Sequence, residues 1–256
     1  MRFASLGSGS AGNALVAEVR HTRLLLDCGF GLRETTQRLA RLGLAPDQIT
    51  GLLITHEHDD HIGGAFKFAA RHRVPVYITH GTLAVMHHTL PKAALVLHII
   101  DGHSAFEIND IVVEPFPVPH DAREPVQFVI GDSHRRLGVL TDTGASTPHT
   151  EAMLSGCQAL VMECNHDLEL LMNGSYPWPL KQRISSRYGH LDNAAAAALL
   201  ARLDNSKLQH LVAAHLSEKN NTPALARKAL SGAINCAEEW IGIAEQGAGF
   251  GWRQII

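Results

Sequence analysis

Leu52-Leu53-Ile54-Thr55-His56-Glu57-His58-Asp59-Asp60-His61 decides how this chain is read. An apolar run of buried-strand length opens directly into six consecutive imidazole and carboxylate side chains. A polar, solvated turn is the ordinary alternative, but packing does not account for so many ligand-type groups at a strand end. Residues two apart in an extended segment point the same way, so His56 and His58 can reach one cation together. Asp60 and His61 open the next helix and point elsewhere, toward a second cation. Imidazole with carboxylate suits borderline-soft dications, and open catalytic sites keep room for water. Glu57 and Asp59 alternate with the ligands and are expected to face away from the metals.

The loop supplies too few ligands for two metals, so others must come from farther along the chain. His120 follows Val118-Pro119, Asp142 follows the apolar run 137–141, and His215 follows the run 211–214. Each stands just past an expected strand, where ligands gather at one sheet edge. Further strands are expected at 2–6, 14–19, 51–55, 74–79, 94–100, 111–118, 126–130 and 159–163, with Leu24-Leu25-Leu26 running into Asp27. Helical spacing or cap signals mark 32–42, 62–72, 82–88, 147–155 and 194–203, and Thr222-Pro223 opens a last helix. Asp192 or Asn193 is the expected cap of the helix at 194. Segment 165–190 reads as a long, irregular, polar loop, more often functional than decorative. The strand-then-helix rhythm occurs in both halves, which implies sheets covered by helices on the outside.

The 256 residues, 45% of them hydrophobic, fit one large domain spanning 1–256. A net charge of −3 gives no compositional argument for nucleic acid. Binding could still be local, because two bound dications would invert the field at the site. No apolar segment suits a signal peptide or a membrane span. Cys28, Cys157, Cys164 and Cys236 are widely spaced and read as reduced thiols of a cytoplasmic protein.

Asp27 after its apolar strand, the His56/His58/Asp60/His61 loop, His120, Asp142 and His215 together resemble the metallo-β-lactamase superfamily. The resemblance implies an α/β fold, an αββα four-layer sandwich of two mixed sheets flanked by helices, with the site at one edge of both sheets. It implies two divalent metal ions, Zn²⁺ or Mn²⁺. His56, His58 and His120 would hold the first and Asp60, His61 and His215 the second, with Asp142 bridging. Asp27 would orient the His-rich loop without being a ligand. A redox diiron member would carry a carboxylate in place of the second histidine, and His58 stands there instead. Water shared by two dications is a nucleophile at neutral pH. That chemistry serves phosphodiesters, thioesters, lactones and β-lactams alike.

Further stretches resemble the YycJ (WalJ) family. They are Leu6-Gly7-Ser8-Gly9-Ser10-Ala11-Gly12-Asn13, Glu163-Cys164-Asn165-His166-Asp167, Tyr176-Pro177-Trp178-Pro179-Leu180-Lys181, Gly189-His190-Leu191-Asp192-Asn193 and His215-Leu216-Ser217-Glu218-Lys219-Asn220-Asn221. The pattern usually has Ser at Asp192 and Pro at Ser175. The family is implied to be DNA exonucleases acting from the 5′ end, with nucleic acid as partner, DNA favoured over RNA, and no membrane. The chain is too short for the large inserted domain of the long RNA-processing relatives.

The leaving alkoxide of a phosphodiester needs a proton, and Glu163, His166 and His190 are placed to supply it. The resemblance to transfer-RNA-processing nucleases favours Glu163 and His190, which join Asp60 as the expected catalytic residues. His166 is alternatively a further ligand or a partner to a ligand imidazole. Lys181, Arg183, Arg187 and Lys219 offer phosphate contacts, Ser8, Ser10 and Asn13 hydrogen bonds to a terminal phosphate, and Tyr176 and Trp178 faces for a base. The competing reading is a small-molecule metallo-hydrolase, a thioesterase or lactonase, on the same metals.

Overall fold

Alternation along the apolar strands decides which side chains meet. Leu24 and Leu26 face one way and Leu25 the other; Leu137 and Val139 oppose Leu140; Val212 and Ala214 oppose Leu211 and Ala213. Strands apolar on both faces must be covered on both faces. The computed structural model, which describes residues 1–256, shows how.

Fourteen strands form two sheets. They are β1 (Arg2–Gly7), β2 (Ala14–Val19), β3 (Thr22–Leu26), β4 (Gly51–Leu53), β5 (Val76–Thr79), β6 (Leu97–Ile100), β7 (Phe106–Ile108), β8 (Ile111–Pro117), β9 (Val126–Gly131), β10 (Arg136–Leu140), β11 (Ala159–Glu163), β12 (His210–Ala214), β13 (Gly242–Ile243) and β14 (Phe250–Gln254). The helices are α1 (Leu32–Arg41), α2 (Asp59–Ile62), α3 (Ala65–His72), α4 (His80–Met86), α5 (Pro148–Leu154), α6 (Leu168–Asn173), α7 (Trp178–Ile184), α8 (Asn193–Arg202) and α9 (Pro223–Ile234). The first sheet runs β14-β1-β2-β3-β4-β5-β6 and the second β13-β12-β11-β10-β9-β8-β7. Their inner faces share a core that includes Phe3, Leu24, Leu53, Phe128, Val139 and Val212. Each large apolar side chain fully buried there contributes about 1.5–3 kcal/mol. Leu39 of α1 and Phe68 of α3 cover the outside of the first sheet. Leu154 of α5, Leu199 of α8 and Leu230 of α9 cover the second. This is the expected four-layer αββα sandwich. No helix is long and apolar enough to cross a membrane.

Both sheets have the same plan. Counted from β14 or from β7, three antiparallel pairings precede three parallel ones. Asp27 and Asp142 follow equivalent strands, β3 and β10, each in the left-handed region (φ 58° and 52°) and each starting an Asp-x-Gly turn. The half-repeat places two loaded strand ends side by side at one rim of the sandwich.

Four expectations need correction. Strand β4 ends at Leu53 rather than 55, because the Thr55 N–H donates to Asp27 Oδ1 (2.9 Å) instead of a neighbouring strand. The helix expected over 62–72 is split into α2 and α3 at Gly63-Gly64. Gly64 passes against the Phe30 carbonyl with no room for a Cβ, and its N–H bonds Cys28 O at 2.8 Å. The irregular stretch 165–190 contains α6 and α7. Asp167 caps α6, while Pro177 and Pro179 sit at the start of α7, where a missing N–H costs nothing. The C-terminal strands β13 and β14 and the short β7 were not anticipated. Asp192 is the cap of α8, accepting from the Ala195 N–H at 2.8 Å.

Candidate metal centre

The site grows from strand ends whose backbones are held in place. Like Asp27 and Asp142, His215 lies in the left-handed region (φ 54°), which costs a non-glycine residue of order 1 kcal/mol and persists only when its surroundings fix it. The His215 N–H donates to Ser8 Oγ (2.9 Å), and its carbonyl accepts from Asn165 Nδ2 (2.9 Å). Asp27 accepts from the Thr55 N–H, from Thr55 Oγ1 (2.8 Å) and from His61 Nδ1 (2.7 Å). It is thus bonded to both ends of the His-rich loop.

Two donor clusters of the expected ligands result, and a third group overlaps the second by joining Asp142 and His215 to Glu163 and His190. In the first, His58 Nδ1 stands 3.0 Å from His56 Nε2 and 3.2 Å from His120 Nε2. Two ligands each ~2.1 Å from one cation stand about 3.0–3.4 Å apart, so these nitrogens have the spacing of a shared cation. His120 donates Nδ1–H to Gly189 O (3.0 Å), which leaves Nε2 bare. Burial first of all, and then the neighbouring imidazoles, depress His56 well below the ordinary histidine range, and His120 falls in the same direction. Buried, neutral nitrogens are what a dication needs.

The second cluster holds Asp60, His61, Asp142 and His215. Asp60 Oδ2 lies 3.4 Å from His61 Nε2 and 3.3 Å from His215 Nε2, and Asp142 Oδ2 lies 2.9 Å from His61 Nε2. Asp142 Oδ2 is buried with no hydrogen-bond partner. Because His61 gives its Nδ1 proton to Asp27, its bare Nε2 would face that oxygen lone pair to lone pair. Only a proton or a cation relieves this. Burial opposes charge on both groups, yet Asp142 holds His61 well above the ordinary histidine range, and His215 with His61 hold Asp142 well below that of a carboxylate. Burial also opposes protonation of His215, but Asp142, Asp60 and Glu163 push it up to about 10. A bound cation would take those protons' place. The residues present fit two cations, and Asp142, whose Oδ1 is 4.0 Å from His120 Nε2, lies between the clusters.

Glu163 is fully buried behind them. Its Oε2 accepts from the Thr143 and Leu191 N–H groups (3.0 and 3.1 Å), and its Oε1 from His190 Nδ1 (2.8 Å) and His215 Nδ1 (3.1 Å). His190 reaches a cleft of about 390 Å³ that His58, Asp60, Asp142 and His215 also line. Burial works against its charge, but the Glu163 carboxylate outweighs this and holds His190 above the ordinary histidine range.

A family model described as "Beta-lactamase superfamily domain" matches residues 22–215. The chain is 35% identical over 248 residues to the exodeoxyribonuclease YycJ of Bacillus anthracis, which covers 96% of this chain and 92% of that protein. This chain belongs to the metallo-β-lactamase superfamily, with the YycJ/WalJ proteins. It is also 32% identical over 245 residues to the exodeoxyribonuclease WalJ of Streptococcus pneumoniae D39, covering 94% of this chain and 91% of that one. The crystal structure of the metallo-β-lactamase fold protein YhfI from Bacillus subtilis superposes with a TM-score of 0.76 over 99% of each chain, at 15% identity. That likeness speaks for the fold alone. Family, fold and donor clusters make this member of the superfamily a metal-dependent hydrolase.

Several side chains expected at the substrate lie elsewhere. Ser8 is buried and bonds Asn13 Oδ1 (2.9 Å) as well as the His215 backbone. Asn13 is buried too, and its Nδ2 reaches Asp60 Oδ2 (3.1 Å) and stands 3.1 Å from His61 Nε2. Both brace the second cluster rather than face the cleft. Lys181 is buried with Nζ on Met172 O (2.7 Å), closing the end of α6. Glu163, expected as a proton donor, does not line the cleft; its Oε1 accepts from His190 Nδ1 and His215 Nδ1. Ser10 and Arg183 do line it. Arg187 and Lys219 are exposed outside it, with Lys219 Nζ over the Tyr176 ring (5.4 Å to its centre). Tyr176 borders the cleft; Trp178, 60% exposed, does not. His166 is buried in neither cluster, with Nδ1 near Asn165 Oδ1 (3.3 Å). Glu57 faces away as expected, taking the Arg123 N–H (2.6 Å) and Thr82 Oγ1 (3.3 Å). Asp59 belongs to neither cluster but is exposed at the cleft.

Asp121 was missed. Its Oδ2 accepts from Arg183 Nε (2.5 Å), and its Oδ1 lies 3.5 Å from His120 Nε2. Its position directly after His120 was the available signal.

Proposed function

We propose that this chain is a binuclear metal-dependent phosphodiesterase, an exonuclease that digests DNA from its 5′ end. The observation that carries the reading is His190, held through Nδ1 by Glu163 at the floor of a cleft into which both donor clusters open. His56, His58 and His120 would hold one cation, Asp60, His61 and His215 the other, and Asp142 both. Zn²⁺ or Mn²⁺, when bound, would supply Lewis-acid charge and an acidified water as nucleophile.

The rest is the work of the chain's own residues. Asp59, Asp60, Asp121 and Asp142 line the cleft against the single guanidinium of Arg183. Metal-free, such a surface repels a phosphodiester; two dications reverse its sign. Arg183 then holds a phosphate oxygen. With Nδ1 on Glu163, His190 keeps its other nitrogen for the leaving 3′ oxygen and delivers a proton to it. The names of the YycJ and WalJ relatives support DNA as the polymer.

Metal-stripped protein reconstituted with Mn²⁺ or Zn²⁺ is expected to release mononucleotides from 5′-labelled DNA in single-turnover assays, with label appearing first as mononucleotide. Hydrolysis of glutathione thioesters or lactones with no cutting of DNA would replace this reading with the small-molecule one.

A further inference from the structure

Asn165 and His166 lie in one of the family-like stretches, yet neither residue lines the cleft or joins a donor cluster. Both are buried, at 5% and 1% exposure, just past the end of β11. All four polar groups of Asn165 are engaged, and they join three segments. Its N–H donates to Leu191 O (3.0 Å), next to His190, and its carbonyl accepts from the Ser217 N–H (2.7 Å). Its Nδ2 donates to His215 O (2.9 Å), and its Oδ1 stands 3.3 Å from His166 Nδ1. A carbonyl only accepts, so the His215 contact settles which end of the amide is nitrogen. His166 then gives its Nδ1 proton to the amide oxygen. Its Nε2 is buried with no partner, so the single bond of this ring is spent on orienting Asn165.

His215 is where the amide acts. Its left-handed backbone (φ 54°) persists only when its surroundings fix it. Ser8 Oγ holds the N–H of His215 and Asn165 Nδ2 holds its carbonyl, so both sides of the residue are pinned. The direction of the ring follows from that backbone, because the Cα–Cβ bond turns with it. Pinned in this way, His215 stands with Nε2 3.3 Å from Asp60 Oδ2. The first cluster has no such dependence. None of His56, His58 and His120 has a left-handed backbone, and Asn165 bonds none of them.

We infer that Asn165 is a positioning residue for the second cation alone, holding His215 in the strained backbone that brings its imidazole to Asp60. This rests on the binuclear reading above. Two of the bonds Asn165 makes are backbone bonds and survive any substitution, so a side-chain variant isolates the grip on His215. Groups that orient a ligand in this way typically contribute about 10- to 100-fold in metal affinity.

Zn²⁺ titration of the full chain tests this, with each cation isolated in turn. His58→Ala dismantles the first cluster and leaves the second, and His215→Ala does the reverse. In the His58→Ala chain, Asn165→Asp, the same shape without the N–H donor, should weaken Zn²⁺ binding about 10- to 100-fold. In the His215→Ala chain it should change affinity by less than about twofold, because the ring it positions is gone. In the otherwise wild-type chain it should weaken one of two Zn²⁺ ions and spare the other. Should the aspartate variant fold poorly, Asn165→Ala removes the donor without adding a charge and is expected to give the same results. Equal losses in the two chains would make Asn165 a general prop of the fold. No loss in the His58→Ala chain would leave His215 independent of it. Either result overturns the inference, while a wild type that holds two Zn²⁺ keeps the binuclear reading. A wild type that holds fewer than two overturns both.

Discussion

Asp142→Asn lowers kcat/KM for DNA cleavage by about 10³-fold or more, even at saturating metal. Asp142 is the one carboxylate between the two donor clusters, with Oδ2 2.9 Å from His61 Nε2 and Oδ1 4.0 Å from His120 Nε2. Asparagine keeps the shape and one oxygen but not the negative charge that two neighbouring cations require. Metal catalysis of this kind supplies several kcal/mol of charge stabilisation, and each 1.4 kcal/mol is a factor of ten in rate. Metal binding should weaken as well, because the buried Oδ2 that the substitution alters has no hydrogen-bond partner of its own. Steady-state kinetics across a metal titration would check this. A variant within tenfold of wild type would show that Asp142 does not lie between two cations.

His190→Gln lowers the rate on DNA by about 10²–10⁴-fold, the usual contribution of a positioned general acid. The loss should depend on the leaving group. A 3′ alkoxide is a poor leaving group and needs the proton, whereas 4-nitrophenolate leaves without one. On a 4-nitrophenyl phosphodiester the same variant should therefore lose less than about tenfold. Comparison of kcat on the two substrates separates proton delivery from simple damage to the site, which would lower both equally. Equal losses would assign His190 a positioning part only.

The donor clusters were legible in the sequence because their members are contiguous or follow directly on apolar runs. His56, His58, Asp60 and His61 lie within one short loop, and His120, Asp142 and His215 each stand where an alternating strand gives out. Sheets covered by helices were legible in the strand-then-helix rhythm of both halves, while the αββα layering itself came from the resemblance to the superfamily. Other features depend on contacts between distant parts of the chain. Ser8 looked like a phosphate contact in a glycine-rich loop, but its hydroxyl is used on His215, 207 positions away. Lys181 looked like a free cation, and only the packing of α7 beside α6 shows that its ammonium closes a helix end. Strand β13 has two residues, too few for alternation to register, and the half-exposed edge strand β14 gains its order only by pairing with β1. Helices α6 and α7 were hidden by prolines and polar residues that read as loop formers but stand at helix starts, where they are tolerated.

Two cations side by side, held by seven side chains that the two half-repeats bring to one rim, are the core of this account. Metal content per chain, measured by mass spectrometry of metals after saturation with Zn²⁺ or Mn²⁺ and removal of excess, tests it most directly. The wild type is expected to retain two dications and Asp142→Asn fewer than two. One dication or none in the well-folded wild type, or two retained unchanged by the Asp142 variant, would contradict it.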